Sequence, residues 1–138
     1  MVKYGGNTAY DTEPFRNIFT TDANDPSYDE AMAVEGNAAA QTANERIESF
    51  YAGADLLIHD TQYTQEEYDS GKVGWGHSSF EQAIAAAHRA GVKRMALFHH
   101  EPLRADAQME ELASKYCSAG GEGETEIFFA REGAEVII

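Results

Sequence analysis

The chain has 138 residues, 43% of them hydrophobic, and a formal net charge of −14. This length and composition suit one domain with a real core over residues 1–138 and exclude wholesale disorder. The acidity argues against a nucleic-acid-binding surface and against docking on an anionic membrane, because both need clustered Lys and Arg. No apolar run reaches the roughly 20 residues that span a bilayer, and we expect no signal peptide after Met1. The sequence therefore predicts a cytoplasmic protein, and its one cysteine, Cys117, is interpreted as incidental.

The N-terminal part predicts one strand and one long helix. Residues 2–10 mix β-forming residues with a Gly-Gly pair, which is typical of a short strand with a bend. Pro14 disfavours regular structure in the segment that follows, and residues 21–27 are typical of a loop. From about Tyr28 to Tyr51 apolar residues recur at spacings of three, four and seven, which predicts a helix that Gly53 ends.

The middle of the chain predicts a buried strand, a long loop and a second helix. Residues 54–59 (ADLLIH) form a short, nearly continuous apolar run, typical of a strand buried on both faces. Residues 61–76 contain three aromatic residues and are predicted to be a loop. The sequence Ser-Ser-Phe-Glu at residues 78–81 predicts a capping box and a helix that stops at Gly91.

The C-terminal part predicts a further strand and helix, then a hairpin. Residues 94–99 (RMALFH) are a second apolar strand, and residues 105–116 are a helix. After a Gly-rich turn, residues 125–130 and 135–138 are predicted to pair as a hairpin. The predicted order is β–loop–α–β–α–β–α–β–β, and this alternation predicts a layered α/β domain.

Polar residues gather where the two apolar strands end. His59 and Asp60 close the first strand, and His99 and His100 close the second. His77, flanked by Gly76, stands at the start of a helix. Because ligands and catalytic groups collect at the carboxyl ends of parallel strands, we expect these residues to converge on one rim. Imidazole and carboxylate groups bind zinc, manganese and iron and also serve as acid-base groups.

Simpler interpretations stay open for several of these residues. A single histidine at a strand end is most often only a hydrogen-bonded residue. His88, in mid-helix, is interpreted as a packing or surface residue. Tyr63 and Tyr68 either cover a pocket or pack on the helix beneath them. The Gly-rich run 120–123 follows a helix rather than a strand, so it predicts no nucleotide-binding loop.

Three motifs in order carry a family resemblance: ADLLIHDTQYTQEEY, then GWGHSS, then GVKRMALFHHEP. Together they resemble the metallo-β-lactamase-fold hydrolases, in the branch near ribonuclease Z and the cyclic-nucleotide phosphodiesterase-like proteins. The resemblance runs from about Tyr10 to Ile138, and TEIFFAREGAEVII is similar to that branch's closing strands. It implies that the chain is the C-terminal half of an αββα sandwich of phosphodiester-hydrolase ancestry.

The resemblance also implies a role for individual residues. Asp11 matches the aspartate that bridges two metal ions, although Tyr10 stands where the family has Gly or Thr. His99 matches the last metal-binding histidine. His77 resembles the histidine that approaches the scissile phosphate, and Asp60 matches the acidic partner that orients it. A carboxylate behind a histidine fixes its tautomer and raises its basicity, so the pair can protonate a leaving oxygen.

One central motif of the family is missing from this sequence. No two histidines here are separated by one residue, so His-x-His-x-Asp-His is absent. GGNT and DTEPF, far apart in the family, nearly touch here, which implies an internally deleted, degenerate or truncated domain. Asp11 and His99 supply two metal ligands, whereas a catalytic zinc site normally has three. Turnover would need ligands from a second subunit, or unusual ones such as His100 or Glu101.

Two functional hypotheses follow from the resemblance. The first is a metal-dependent phosphoesterase with an incomplete site, acting on a small phosphodiester. The second is a non-catalytic half-domain that serves as a binding or regulatory protein or an evolutionary remnant. In either case the missing second sheet would expose an apolar face, so we expect a homodimer formed sheet to sheet or by exchange of N-terminal strands.

Overall fold

The computed structural model describes residues 1–5 and 30–138, which form a parallel β-sheet with helices packed against it. The elements in chain order are β1 (Val2–Gly5), α1 (Glu30–Tyr51), β2 (Leu56–Asp60), α2 (Gln65–Asp69), α3 (Phe80–Arg89), β3 (Arg94–Phe98), α4 (Asp106–Tyr116) and β4 (Glu126–Phe129). Strands and helices alternate, which confirms the predicted α/β class. Within the described ranges, no helix has both the length and the apolar character needed to cross a membrane.

The four strands lie in the order β1-β2-β3-β4, and each neighbouring pair is parallel. In the register of β2 and β3, Asp60 lies opposite Phe98, so the two strands end at the same level. Residues that follow these two strands therefore emerge side by side at one edge of the sheet. This register decides which polar residues can meet.

One face of the sheet carries the hydrophobic core. Side chains alternate between the two faces of a strand, and one set packs against α1, α3 and α4. The fully or nearly buried residues of this core are Tyr51, Ala54, Leu57, Phe80, Ala83, Ala87, Val92, Met95, Leu97, Leu112, Ile127 and Phe129. The apolar runs in β2 and β3 are thus explained on this side by helix packing.

The opposite face of the sheet is also apolar, and we call it the open face. Its groove is lined by Tyr4, Leu56, Ile58, Ala96, Phe98, Phe128, Ala130, Arg131, Ala134 and Val136. None of these residues belongs to a helix. Tyr4 is 72% exposed and Phe98 is 53% exposed, so the described part of the chain leaves large apolar side chains on this face in contact with solvent.

The predicted C-terminal hairpin is wrong. The strand expected at 125–130 forms as β4 and pairs in parallel with β3, but residues 135–138 form no strand. The outer edge of β4 is taken instead by Ser118, which exchanges two backbone hydrogen bonds with Ile127, at 2.9 and 2.8 Å. The last residues do not pair with β4. Near their end, the Ile137 carbonyl accepts a hydrogen bond from the Arg94 guanidinium at 2.8 Å.

Helix starts also differ from the sequence prediction. Ser79, and not Ser78, is the N-cap of α3, and its hydroxyl accepts from the Gln82 amide at 3.1 Å. A short helix, α2, lies inside the predicted loop 61–76. Its cap is a reciprocal one, because Glu67 donates its amide to Thr64 while the Glu67 carboxylate accepts from the Thr64 amide at 2.8 Å. Thr-x-x-Glu is a recognisable start signal that the sequence interpretation missed.

A substitution at Leu97 tests whether the hydrophobic core lies on the helix-covered face of the sheet, because the Leu97 side chain is fully buried. We expect Leu97→Ala to lower the free energy of unfolding by about 2–5 kcal/mol, since the cavity adds to the lost transfer free energy. Urea unfolding followed by circular dichroism measures this change. Leu103→Ala is the matched control: Leu103 is 92% exposed, so its loss should change stability by less than about 0.5 kcal/mol. Equal effects of the two variants would contradict the assignment of the core.

Candidate metal and acid-base site

Three polar side chains meet at the edge where β2 and β3 end. Asp60 is the last residue of β2, His99 directly follows β3, and His77 lies three residues before α3. The parallel register brings the first two together, and the loop after β2 folds back so that the Ser78 carbonyl accepts from the Gln62 amide. That bond carries His77 to the same edge. We call Asp60, His77 and His99 the triad.

The Asp60 carboxylate is the centre of the triad. Its Oδ1 accepts from Nδ1 of His77 at 3.0 Å, and Nδ1 of His99 lies at ion-pair distance from the same oxygen, also 3.0 Å away. Its Oδ2 accepts from the Ser78 amide at 2.9 Å. An ionised carboxylate can only accept, so a hydrogen bond from His77 to Asp60 places hydrogen on Nδ1 of His77. The Nε2 atom of that ring is then the one that could bind a metal or exchange a proton.

The two imidazoles of the triad are held as a stack. Their ring centroids are 4.9 Å apart and their planes differ by 13°. Tyr63 packs edge-on against His77 with centroids 6.0 Å apart. The Asp60 side chain is only 13% exposed, whereas those of His77 and His99 are 28% and 51% exposed. A ligand from solvent can thus reach the imidazoles, while the carboxylate behind them is shielded.

The backbone at His99 is strained. Its φ is +61°, and His99 has the only positive φ among the described residues other than glycine. A side chain in this left-handed region is unfavourable, and such conformations concentrate at functional sites. The strand expected at 94–99 therefore ends one residue early, at Phe98. This turn directs the His99 ring back onto Asp60 instead of continuing the strand.

Two histidines expected at this rim lie elsewhere. His59 is fully buried on the core side, where Tyr51 contacts its ring, and its Nδ1 donates to the Asp60 carbonyl. Burial lowers the pKa of His59, which favours the neutral ring. His100 packs on Phe129, and its Nε2 donates to the Ala130 carbonyl at 3.3 Å. Burial lowers the pKa of His100 too. Side chains alternate between the two faces of β2, which places His59 on the core side of the sheet. The turn at His99 changes the direction of the chain, which places His100 against Phe129.

The remaining sequence candidates have other positions. Asp11 lies outside the described residues. His88 is exposed on α3, in agreement with a surface role. Tyr63 and Tyr68 are both buried, so they pack beneath the loop instead of standing open over a pocket. Tyr63 also contacts the triad, through His77.

An ion pair between Arg104 and Glu67, which the sequence interpretation missed, connects the two loops of the site. The Arg104 guanidinium, 7% exposed, donates to both Glu67 carboxylate oxygens, at 3.1 and 2.9 Å, and to the Gln62 carbonyl at 3.0 Å. Arg104 follows His99 in the loop after β3, and Glu67 is in α2. Hydrogen bonding to Arg104 is the main cause that lowers the pKa of Glu67. This clamp holds the His99 loop against the loop that carries Tyr63.

The chemistry of the triad fits a divalent metal ion. One ligand atom from each of Asp60, His77 and His99 lies within 4.8 Å of the other two. Imidazole nitrogen and carboxylate oxygen are the donors that zinc, manganese and iron accept. The triad therefore has two chemical capacities, which are to bind a cation and to move a proton through an imidazole oriented by Asp60.

Comparison with known proteins places the triad inside a recognised domain. Residues 36–100 match the family described as Beta-lactamase superfamily domain. This segment includes most of α1 and all of β2, α2, α3 and β3, and it contains all three triad residues. The match thus covers the part of the chain in which the site is built.

The chain is also similar to proteins named Ribonuclease Z. It is 41% identical to that of Thermococcus sibiricus over 73 residues, which are 53% of this chain and 23% of the relative. It is 40% identical to that of Thermoplasma volcanium over 58 residues (42% and 19%), and 32% identical to that of Shouchella clausii over 68 residues (49% and 20%). The matched part thus spans about a quarter or less of these curated relatives. No solved structure matches the chain.

The clamp between Glu67 and Arg104 makes stability depend on pH. Because the folded pKa of Glu67 lies below its ordinary 4.5, its contribution is fully present above that pH and is lost as the pH falls below it. We expect Glu67→Gln to be less stable than the unmodified protein at pH 7, and the difference to shrink in acid. Urea unfolding at a series of pH values measures it.

Glu66→Gln is the matched control for this experiment. It removes a negative charge from the same helical turn, but Glu66 does not bond Arg104. We expect it to show no such convergence with the unmodified protein in acid. A Glu67→Gln stability difference that stays constant across the pH range would contradict the clamp.

Proposed function

Since the chain carries a metallo-β-lactamase-fold hydrolase domain of the ribonuclease Z-like branch, we propose that it acts as a metal-dependent phosphodiester hydrolase. The observation that carries the proposal is the Asp60 carboxylate, whose Oδ1 accepts from Nδ1 of His77 and lies 3.0 Å from Nδ1 of His99. The same carboxylate is thus placed to orient two imidazoles. We propose that His77 transfers a proton and that His99 binds a metal ion. The proposed substrate class is a phosphodiester, in keeping with relatives named as ribonucleases.

In the proposed reaction His77 is the general acid. Asp60 accepts from Nδ1, which stabilises the protonated ring and directs Nε2 toward the ligand side of the site. As water oxygen bonds to phosphorus and the bond from phosphorus to the leaving oxygen breaks, Nε2 of His77 gives its proton to that leaving oxygen. The attacking water loses a proton to solvent, and a proton from solvent restores the His77 ring for the next cycle. The Ser78 amide, bonded to Oδ2, keeps Asp60 in place during this transfer.

His99 would hold the metal through Nε2, with Asp11 as the second proposed ligand. A bound divalent ion would supply Lewis-acid stabilisation of the phosphate charge and a nucleophilic hydroxide at neutral pH. Asp60 would fix the orientation and tautomer of His99, as partners behind a ligand do. The sequence lacks His-x-His-x-Asp-His, so we propose that the metal site of this chain by itself is weak.

Metal content and phosphodiesterase activity test this proposal together. Elemental analysis of the purified protein is followed by hydrolysis of bis(p-nitrophenyl) phosphate with added manganese or zinc. We expect His77→Ala to lower the rate about 100- to 10,000-fold with metal content unchanged. We expect Asp60→Asn to lower the rate about 10- to 100-fold, because the ring orientations are lost. His99→Ala and Asp11→Ala should lower metal content as well as rate.

His88→Ala is the matched control, because it removes an exposed histidine outside the triad. Its rate and metal content should equal those of the unmodified protein. A protein that binds no metal and shows no rate above background would overturn the hydrolase proposal. A rate that survives His77→Ala would overturn the assignment of the general acid.

The open face favours a second candidate function, a non-catalytic half-domain that works as a homodimer. Its groove is lined by apolar residues from all four strands, and Tyr4 and Phe98 are largely exposed there. Apolar surface of this kind normally finds a partner. We propose that a second copy covers it, with the two sheets face to face. Exchange of N-terminal strands is the alternative route, although β1 pairs here with β2 of the same chain.

Solution mass tests the dimer. Sedimentation equilibrium should give about twice the chain mass of 15.1 kDa. Phe98→Ser should weaken the dimer about ten-fold or more, since an aromatic side chain in the interface is lost. Leu103→Ser is the control, because Leu103 is exposed but lies outside the open-face groove. A stable monomer at the concentrations used for the assay would rule out the sheet-to-sheet dimer.

A further inference from the structure

A lysine and a tryptophan lie beside the triad, in the loop between α2 and α3. The Lys72 ammonium is 3.9 Å from the centroid of the Trp75 ring and 5.5 Å from the centroid of the Tyr63 ring. Tyr63 in turn packs on His77. One tyrosine ring therefore separates this cation from the histidine that we propose as the general acid. We call Lys72 and Trp75 the loop pair.

The indole of the loop pair is held in an exposed position. Trp75 is 59% exposed, so a large part of its ring is open to solvent while Lys72 lies over one face. Gly74 and Gly76 flank it with φ of +84° and +87°, a conformation that suits glycine and turns the chain sharply on both sides. The backbone thus presents the tryptophan at the surface instead of burying it in the core.

The ammonium of the loop pair has no acidic partner among the described residues. The chain has 24 acidic and 10 basic residues, yet within the described residues Lys72 forms no salt bridge. Arg104, also beside the site, has a side chain that is 7% exposed and pairs with Glu67. Among the described residues, Lys72 is thus a cation near the triad that no carboxylate engages.

Carboxylates surround the same place. The charges of Glu101, Asp60 and Glu67 add to burial in raising the pKa of Tyr63. An anionic substrate that approaches the triad would meet this negative field. A cation nearby would offset that repulsion, and the Lys72 ammonium lies 5.5 Å from the centroid of the Tyr63 ring.

We propose that the loop pair is a nucleotide subsite, in which Trp75 stacks on a base and Lys72 contacts the adjacent phosphate. This inference rests on the proposed function, because it names the substrate class of the same site. A base has a planar π face that stacks on an indole, and a lysine is a common phosphate ligand. The subsite needs no glycine-rich phosphate loop, so it agrees with the absence of such a motif.

The base and phosphate could belong to a free nucleotide or to the end of an RNA strand. The chemistry recognised by the loop pair is the same in both cases. The formal charge of −14 disfavours a long polyanion, because counterion release needs many cations in contact with it. The experiment therefore compares adenosine monophosphate with a short oligoadenylate.

Trp75 is the one tryptophan of the chain, so its fluorescence reports directly on the loop pair. The protein is titrated with adenosine monophosphate, adenosine and ribose 5-phosphate, with excitation where the bases do not absorb. We expect saturable quenching by adenosine monophosphate, weaker binding of adenosine and no quenching by ribose 5-phosphate. Oligoadenylate that binds more tightly than the monophosphate would assign the subsite to a strand end, and equal affinity would assign it to a free nucleotide.

Substitutions separate the two members of the loop pair. Lys72→Gln should weaken adenosine monophosphate binding about five-fold or more and abolish its advantage over adenosine. Lys115→Gln is the matched control, because Lys115 also lies over an aromatic ring, that of Tyr116 at 4.7 Å, but belongs to α4. It should leave binding unchanged. Trp75→Ala, followed by calorimetry, should weaken binding about 5- to 100-fold, the range measured for loss of one base stack.

The outcomes distinguish this inference from the proposed function. Binding of adenosine monophosphate that persists in a protein without hydrolytic activity would support the subsite and overturn the hydrolase. Hydrolysis of bis(p-nitrophenyl) phosphate without saturable quenching would overturn the subsite and leave the hydrolase in place. Equal quenching by ribose 5-phosphate, or unchanged affinity in Lys72→Gln with circular dichroism as in the unmodified protein, would also overturn it.

Discussion

The Asp60 carboxylate connects the three segments from which the site is built. It accepts from His77 and from the Ser78 amide and lies 3.0 Å from Nδ1 of His99, and so joins the end of β2 to the loop before α3 and to the turn after β3. A partly buried carboxylate with several donors is held in one orientation, because each unmade bond would leave a polar group without compensation. The stacking of the two imidazoles and the left-handed backbone of His99 both depend on this arrangement.

The position of Asp60 depends in turn on the parallel sheet. Parallel strands bring their carboxyl ends to one edge, and the register of β2 with β3 sets Asp60 level with Phe98. Helices pack on one face of this sheet, whereas the open face retains apolar side chains in solvent within the described part of the chain. The catalytic and the dimer proposals thus concern different regions of one sheet, its carboxyl edge and its uncovered face.

Local sequence patterns predicted much of the fold and part of the site. The helices α1, α3 and α4 and the strands β2 and β3 were predicted near their observed positions, because apolar periodicity and caps are local signals. The same reasoning placed Asp60, His77 and His99 at one rim, and the structure brings these three together. It was wrong for His59 and His100, whose directions depend on the strand face and on the turn at His99.

Other features were beyond local reasoning. The prediction of a C-terminal hairpin was wrong because Ser118, and not the segment 135–138, pairs with the outer edge of β4. The clamp between Arg104 and Glu67 joins residues 37 positions apart, and no spacing rule relates them. Asp11 stays a prediction, since it lies outside the described residues.

The sequence by itself determined the α/β class, the family resemblance and the residue types available for metal and proton chemistry. These features can be predicted from sequence because periodicity, helix caps and motifs depend on residues that are close together in the chain. Only the tertiary structure decided which histidines share Asp60, that the Lys72 ammonium lies over Trp75 beside Tyr63, and that no described helix covers one face of the sheet. Those outcomes depend on strand register, on which face each side chain takes and on contacts between distant segments, none of which a local pattern specifies.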